Sequence, residues 1–97
     1  MHYRLMDEYD VDRPLWGDEG LCPDGTPALP PRVEAALREW AAVFQEGFRW
    51  DRGWRDRAFA REHAAQGERL LAILERALGP DDTVELVHGE ADRRRSR

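Results

Sequence analysis

The 97-residue sequence has no lysine, no asparagine, a single serine (Ser96) and a single cysteine (Cys22). Each gap closes off some chemistry. Without lysine there is no Schiff-base catalysis, and with Ser96 beside the C-terminus a serine nucleophile has no place in a folded site. One cysteine rules out an intramolecular disulfide and suits a reducing compartment. No apolar run approaches the roughly 18 residues that a membrane span needs. The opening Met-His-Tyr-Arg-Leu-Met-Asp-Glu lacks the apolar core of a secretory signal, so a cytoplasmic protein is expected. All 15 basic residues are arginine. Coding bias in a GC-rich genome accounts for this more simply than selection for planar, bidentate arginine contacts.

What is present points to one small folded domain. Apolar residues make up 41% and charged residues 36%, so part of the charge must sit in loops and tails. Four Trp, three Phe and two Tyr supply bulky core pieces and exclude wholesale disorder. A chain of this length buries roughly 60–70% of the surface its unfolded form exposes, enough for modest independent stability. The expected organisation is a single domain over residues 1–88, followed by a disordered polar tail over 89–97.

Two apolar stripes at helical spacing set the fold class. Val33, Leu37, Trp40, Phe44 and Phe48 share one side of a helix. Phe59, His63, Gly67, Leu70, Leu74 and Leu78 do the same further on. Pro30-Pro31 opens the first helix and Gly79-Pro80 stops the second, predicting helices over about 31–48 and 55–78. Gly67 in mid-helix costs about 1 kcal/mol relative to alanine, so a large ring, Trp40 or Phe44, is expected against it. His2–Met6 and Thr83–His88 alternate well enough for terminal strands. Residues 7–29 read as an acidic loop region, with Leu15 and Trp16 plugging the core as a second, very short strand. The prediction is an α+β domain: two antiparallel helices packed on a small sheet of N- and C-terminal strands.

Leu15-Trp16, the Leu29-Pro30-Pro31 helix start, Trp40 and the run Gly67-x-x-Leu70-x-x-x-Leu74-x-x-x-Leu78-Gly79 form a pattern with the Val84-containing strand. Over about residues 15–87 this pattern resembles a group of small uncharacterised proteins of high-GC actinobacteria. The helix start there resembles Leu-Ser-Pro, where this chain has Leu-Pro-Pro. The resemblance rests on core positions and implies no activity.

Charge is segregated. Residues 1–29 carry Asp7, Glu8, Asp10, Asp12, Asp18, Glu19 and Asp24 against Arg4 and Arg13, a net of −5. The remainder carries 13 acids and 13 arginines, so the whole formal charge belongs to the N-terminal third. The run from Asp7 to Asp12 does not fit a calcium loop. Counted from Asp10, the sixth position is Leu15 rather than glycine and the twelfth is Leu21 rather than glutamate. No metal or cofactor is expected. His63 lies on an apolar stripe, and Arg61-Glu62-His63 lacks zinc-protease spacing. Cys22 with His2 or His88 would be the barest nucleophile–base couple.

The segment from Arg49 to Arg61 interleaves five arginines and two aspartates with Trp50 and Trp54. Such a surface can stack bases and bind phosphates, or anchor a protein interface. The structural alternative is that both tryptophans close the helix–helix corner under arginine stems. The overall charge of −5 weighs against general affinity for a polyanion.

These observations point to a non-catalytic protein-interaction domain, of the kind an antitoxin or immunity protein would be. Its acidic third would cover a basic partner. The expected contact residues are Asp7, Glu8, Asp10, Asp12, Arg49, Trp50, Arg52, Trp54 and Arg55. The second reading is a nucleic-acid-associated accessory factor using residues 49–61. A homodimer through an open sheet edge is a further option.

Overall fold

The computed structural model describes residues 1–49 and 51–87. In chain order its elements are β1 (His2–Met6), β2 (Leu15–Gly17), β3 (Gly20–Leu21), α1 (Pro31–Gly47), β4 (Phe48–Arg49), β5 (Gly53–Trp54), α2 (Arg57–Ala77) and β6 (Thr83–Val87). The main sheet has the order β3-β2-β1-β6. β1 pairs antiparallel with β2 and parallel with β6, so the terminal strands lie side by side at its centre and edge. β4 and β5 form a separate two-stranded hairpin between the helices. The α+β arrangement expected from the stripes is the one observed.

Each helix ends where local chemistry makes it end. α1 starts on Pro31, a first-turn position where the missing N–H costs nothing. It stops one residue earlier than the stripe suggests, because Phe48 turns extended to pair with Trp54 across β4–β5. α2 begins at Arg57 rather than 55, because Asp56 is its cap: the carboxylate accepts the Phe59 N–H at 2.7 Å. At the far end the Leu78 N–H still bonds Leu74, and Gly79-Pro80 then breaks the helix.

The helices run antiparallel. Gly47 faces Phe59, Gly67 faces Trp40, and Val33 shares a groove with Ile73 and Ala77, in opposite order along the two helices. A methyl added at Gly67 would sit 3.0 Å from Trp40 Cζ2, so this is the close approach that the mid-helix glycine permits. Trp40 is 1% exposed and its indole N–H donates to the His63 carbonyl at 3.0 Å.

The sheet offers one face to the helices. Tyr3, Leu5 and Leu15 point inward, and Leu5 and Leu15 are wholly buried. Val84 and Leu86 of β6 join them. Arg4 pairs with both Trp16 and Glu85, so these three lie in one row on the opposite face. Leu15 therefore plugs the core, whereas Trp16 does not. It lies half-buried on the outer face, with its indole N–H donating to the Met6 carbonyl at 2.9 Å. His88, Trp50 and the tail expected over 89–97 lie outside the described residues.

Candidate interaction surface

The N-terminal third is mostly loop, yet it is tied down at several points. Arg13 is the principal anchor. Its side chain is 2% exposed, and its guanidinium makes a bidentate pair with Glu34 of α1 at 2.6 and 3.0 Å. The same group donates to the carbonyls of Pro23 (3.2 Å), Thr26 (2.8 Å) and Pro27 (2.9 Å). One buried cation thus organises residues 23–27 and fastens them to the helix. The Arg13 hydrogen bond holds the Glu34 carboxyl below its ordinary pKa, and the Arg13 pKa is raised in turn by that hydrogen bond.

Gln45 is the second anchor. Its amide donates to the Glu8 carbonyl at 2.8 Å, and its oxygen accepts the Asp10 N–H at 3.3 Å. Asp10 itself adopts a left-handed backbone (φ 61°), which aspartate tolerates better than most side chains.

The third anchor joins regions 56 residues apart. His63 Nε2 donates to Asp7 Oδ2 at 2.6 Å, with both side chains no more than 5% exposed. The His63 ring stacks on Trp40 with a centroid separation of 4.7 Å and a 4° interplanar angle, and it also touches Trp54 at 4.8 Å.

The expected contact residues divide on this basis. Asp7 is not a surface acid: it follows Tyr3 and Leu5 on the inward alternation of β1 and ends beside His63. Continuing the period-two pattern by one step beyond Met6 would have flagged it. Glu8 is half-buried, while Asp10 and Asp12 are exposed, Asp12 with 87% of its side chain accessible. Asp10, Asp12 and Glu46 rim a groove of about 570 Å³ floored by Ala41 and Ala42, with Arg38 and Gln45 on its helix side. Arg38 reaches Asp12 at 3.1 Å and Asp24 at 3.6 Å, which adds Asp24 to this face.

Arg49, Arg52 and Arg55 are exposed on and beside the β4–β5 hairpin. Trp54 is half-buried and packs on Phe44, Phe48, Phe59 and His63, so its ring belongs to the helix–helix corner. Arg55 covers Phe59 at 4.5 Å from the ring centroid.

The structure also brings the acidic and arginine segments together, which the sequence did not show. Tyr9 from the acidic loop packs on Phe44 and Phe48, the same pair that Trp54 packs on from the hairpin. Both segments therefore rest on the C-terminal end of α1. One end of the molecule carries an acidic rim and an arginine rim on a shared aromatic base.

Chemistry is not the theme of this surface. Burial pushes the Cys22 thiol up, away from the thiolate a nucleophile needs. His2 is engaged with Thr83 Oγ1 at 2.7 Å, and His63 with Asp7. Among the described residues no group of three or more His, Cys, Asp or Glu is placed to hold a metal ion. No helix among them is long and apolar enough to cross a membrane.

A small α+β scaffold whose charged rim is hydrogen-bonded to the helices suits binding. Residues 1–88 match the family model described as Serratia CdiI immunity protein-like, and the chain belongs to that family. No curated protein matches it. Membership sets the chain among immunity-type proteins, which bind a partner protein, a toxin, rather than catalyse a reaction.

Proposed function

We propose that this chain is an immunity-type inhibitor that acts in the cytoplasm by covering a basic surface of a toxin with its acidic N-terminal third. Asp10 and Asp12 make the central contacts, Glu8, Asp24 and Glu46 extend them, and Arg49, Arg52 and Arg55 flank them. The observation that carries this reading is the anchoring of the acidic loop. A loop fixed by Arg13, Gln45 and the Asp7–His63 pair loses little conformational entropy on binding, so its charges are presented ready for a partner. Oppositely charged surfaces speed encounter, and the effect weakens as salt screens it.

The test is a titration of the toxin captured from the producing cell against wild type and an Asp10→Asn, Asp12→Arg variant. Asparagine keeps the left-handed backbone at position 10 while removing its charge. The expected result is an association rate at least about tenfold slower at low salt, with a flatter salt dependence. Equal rates and equal salt slopes would retire the acidic-face reading. The nucleic-acid alternative retains exposed arginines at 49, 52, 55, 57 and 61, but Trp54 is half-buried and packed on Phe44, Phe48, Phe59 and His63, which leaves less of its ring for stacking. A gel shift at low salt with no retarded species removes it.

A further inference from the structure

Met1, Leu21 and Ile73 are the large apolar side chains with substantial exposure among the described residues, and the two internal ones have opposite charged frames. Leu21 is 47% exposed on β3, directly after the Asp18-Glu19 turn, whose two carboxylates are also exposed. Ile73 is 41% exposed on α2 and lines a groove of about 540 Å³ with Val33 and Ala77, flanked by Arg32 and Arg76. Asp18, Glu19, Arg32 and Arg76 make no ion pair among the described residues. One site is therefore an apolar knob framed by acids, and the other an apolar socket framed by arginines.

They cannot meet within one chain. Leu21 pairs with Trp16, and Trp16 with Arg4, so Leu21 lies on the sheet face turned away from the helices. Ile73 and its groove belong to the helical layer on the other side. We propose that the occupant of the Arg32–Ile73–Arg76 groove is the Asp18–Leu21 turn of a second copy of this chain. The contact is heterologous: knob and socket are different patches on opposite layers, so each added copy leaves one of each exposed and the association does not close as a two-fold dimer. Its size is small. A single leucine and two ion pairs fall well short of the roughly 1,200 Å² that a stable interface buries, so the association is weak and salt-sensitive. It is independent of the immunity reading, since neither patch includes Asp10, Asp12 or the hairpin arginines.

Sedimentation velocity of the full chain tests it, from about 10 μM to about 1 mM, the range in which contacts of this size assemble. The expected result is a weight-average sedimentation coefficient that rises throughout this range without a plateau at the dimer and falls back in high salt. Asp18→Arg with Glu19→Arg should abolish the rise, and so should Arg32→Glu with Arg76→Glu. An equimolar mixture of the two variants should restore it, because every altered knob then finds an altered socket of opposite charge and every intact knob an intact socket. Restoration also shows that both variants are folded. A flat profile for the wild type, a rise that survives either variant, as pairing through the β6 edge would give, or a mixture that stays monomeric would each overturn the proposal.

Discussion

The helical hairpin and the acidic loop are held by different forces. α1 and α2 meet through apolar packing: Trp40 against Gly67, Phe59 against Gly47, and Leu37, Leu70 and Leu74 beneath the sheet. The loop over residues 7–29 has two very short strands, buries Leu15 and Cys22 in the core, and otherwise depends on polar anchors that reach across to the hairpin. Packing energy is spread over many contacts, so the hairpin degrades gradually when one is trimmed. A buried polar anchor, such as Arg13 or the Asp7–His63 pair, is concentrated: removing one partner leaves the other buried and unmatched. The region that carries the proposed contacts can therefore be loosened by one substitution at an anchor, even though no proposed contact residue is touched.

Perturbing each region separately sharpens the contrast. Trp40→Ala should have the largest effect, about 3–5 kcal/mol, since it empties the space over Gly67 and strips the His63 ring of its stacking partner. Chemical denaturation would show one cooperative transition moved to lower denaturant. Arg13→Ala should cost about 3 kcal/mol, toward the low end for breaking a buried ion pair, because Glu34 keeps partial access to water. Gly47→Ala should cost about 1–3 kcal/mol by displacing the Phe59 ring, offset in part by the better helix propensity of alanine. Gly67→Ala meets Trp40 at 3.0 Å rather than colliding with it, and should be milder. Thermal melts of the pair rank the two glycines.

Acid gives a smaller and more selective effect. The Glu34 carboxyl is held below its ordinary value by the Arg13 hydrogen bond, so the folded state binds its proton less readily than the unfolded chain does. That contribution is complete above the ordinary carboxylate range and is lost as pH falls through the lowered folded value. Unfolding free energy measured from about pH 6 to 3 should fall more steeply for wild type than for Arg13→Ala, which has no such pair to lose. The smallest effect belongs to Asp10→Asn with Asp12→Arg, whose stability should stay within about 0.5 kcal/mol of wild type while binding suffers.

The parts legible in the sequence were those with a local cause. Both stripes, the Pro31 start, the Gly79-Pro80 stop and the terminal strands each follow from spacing a few residues long, and the ring against Gly67 follows from a glycine on an apolar stripe. The β4–β5 hairpin has only two residues per strand, too short to show a period, and its pairing of Phe48 with Trp54 shortened α1. The Asp56 cap was readable from its place just before Arg57-Ala58-Phe59. The anchors were not. Asp7 and His63 are 56 residues apart, and nothing local marks one acid in an acidic run as the buried one except its step on the β1 alternation. Arg13 looked like a minority cation in an acidic segment, yet it is the residue that gives the segment its shape.

Hydrogen exchange of the Arg13→Ala variant, resolved by segment, bears most directly on the claim that the buried Arg13 anchor gives the acidic loop its shape while the helices pack without it. Exchange accelerated far more over residues 7–29 than in α1 and α2, with both helices still protected at pH 7, is the outcome this account requires. Protection lost evenly across loop and helices, or a loop as slow to exchange as in the wild type, would contradict it.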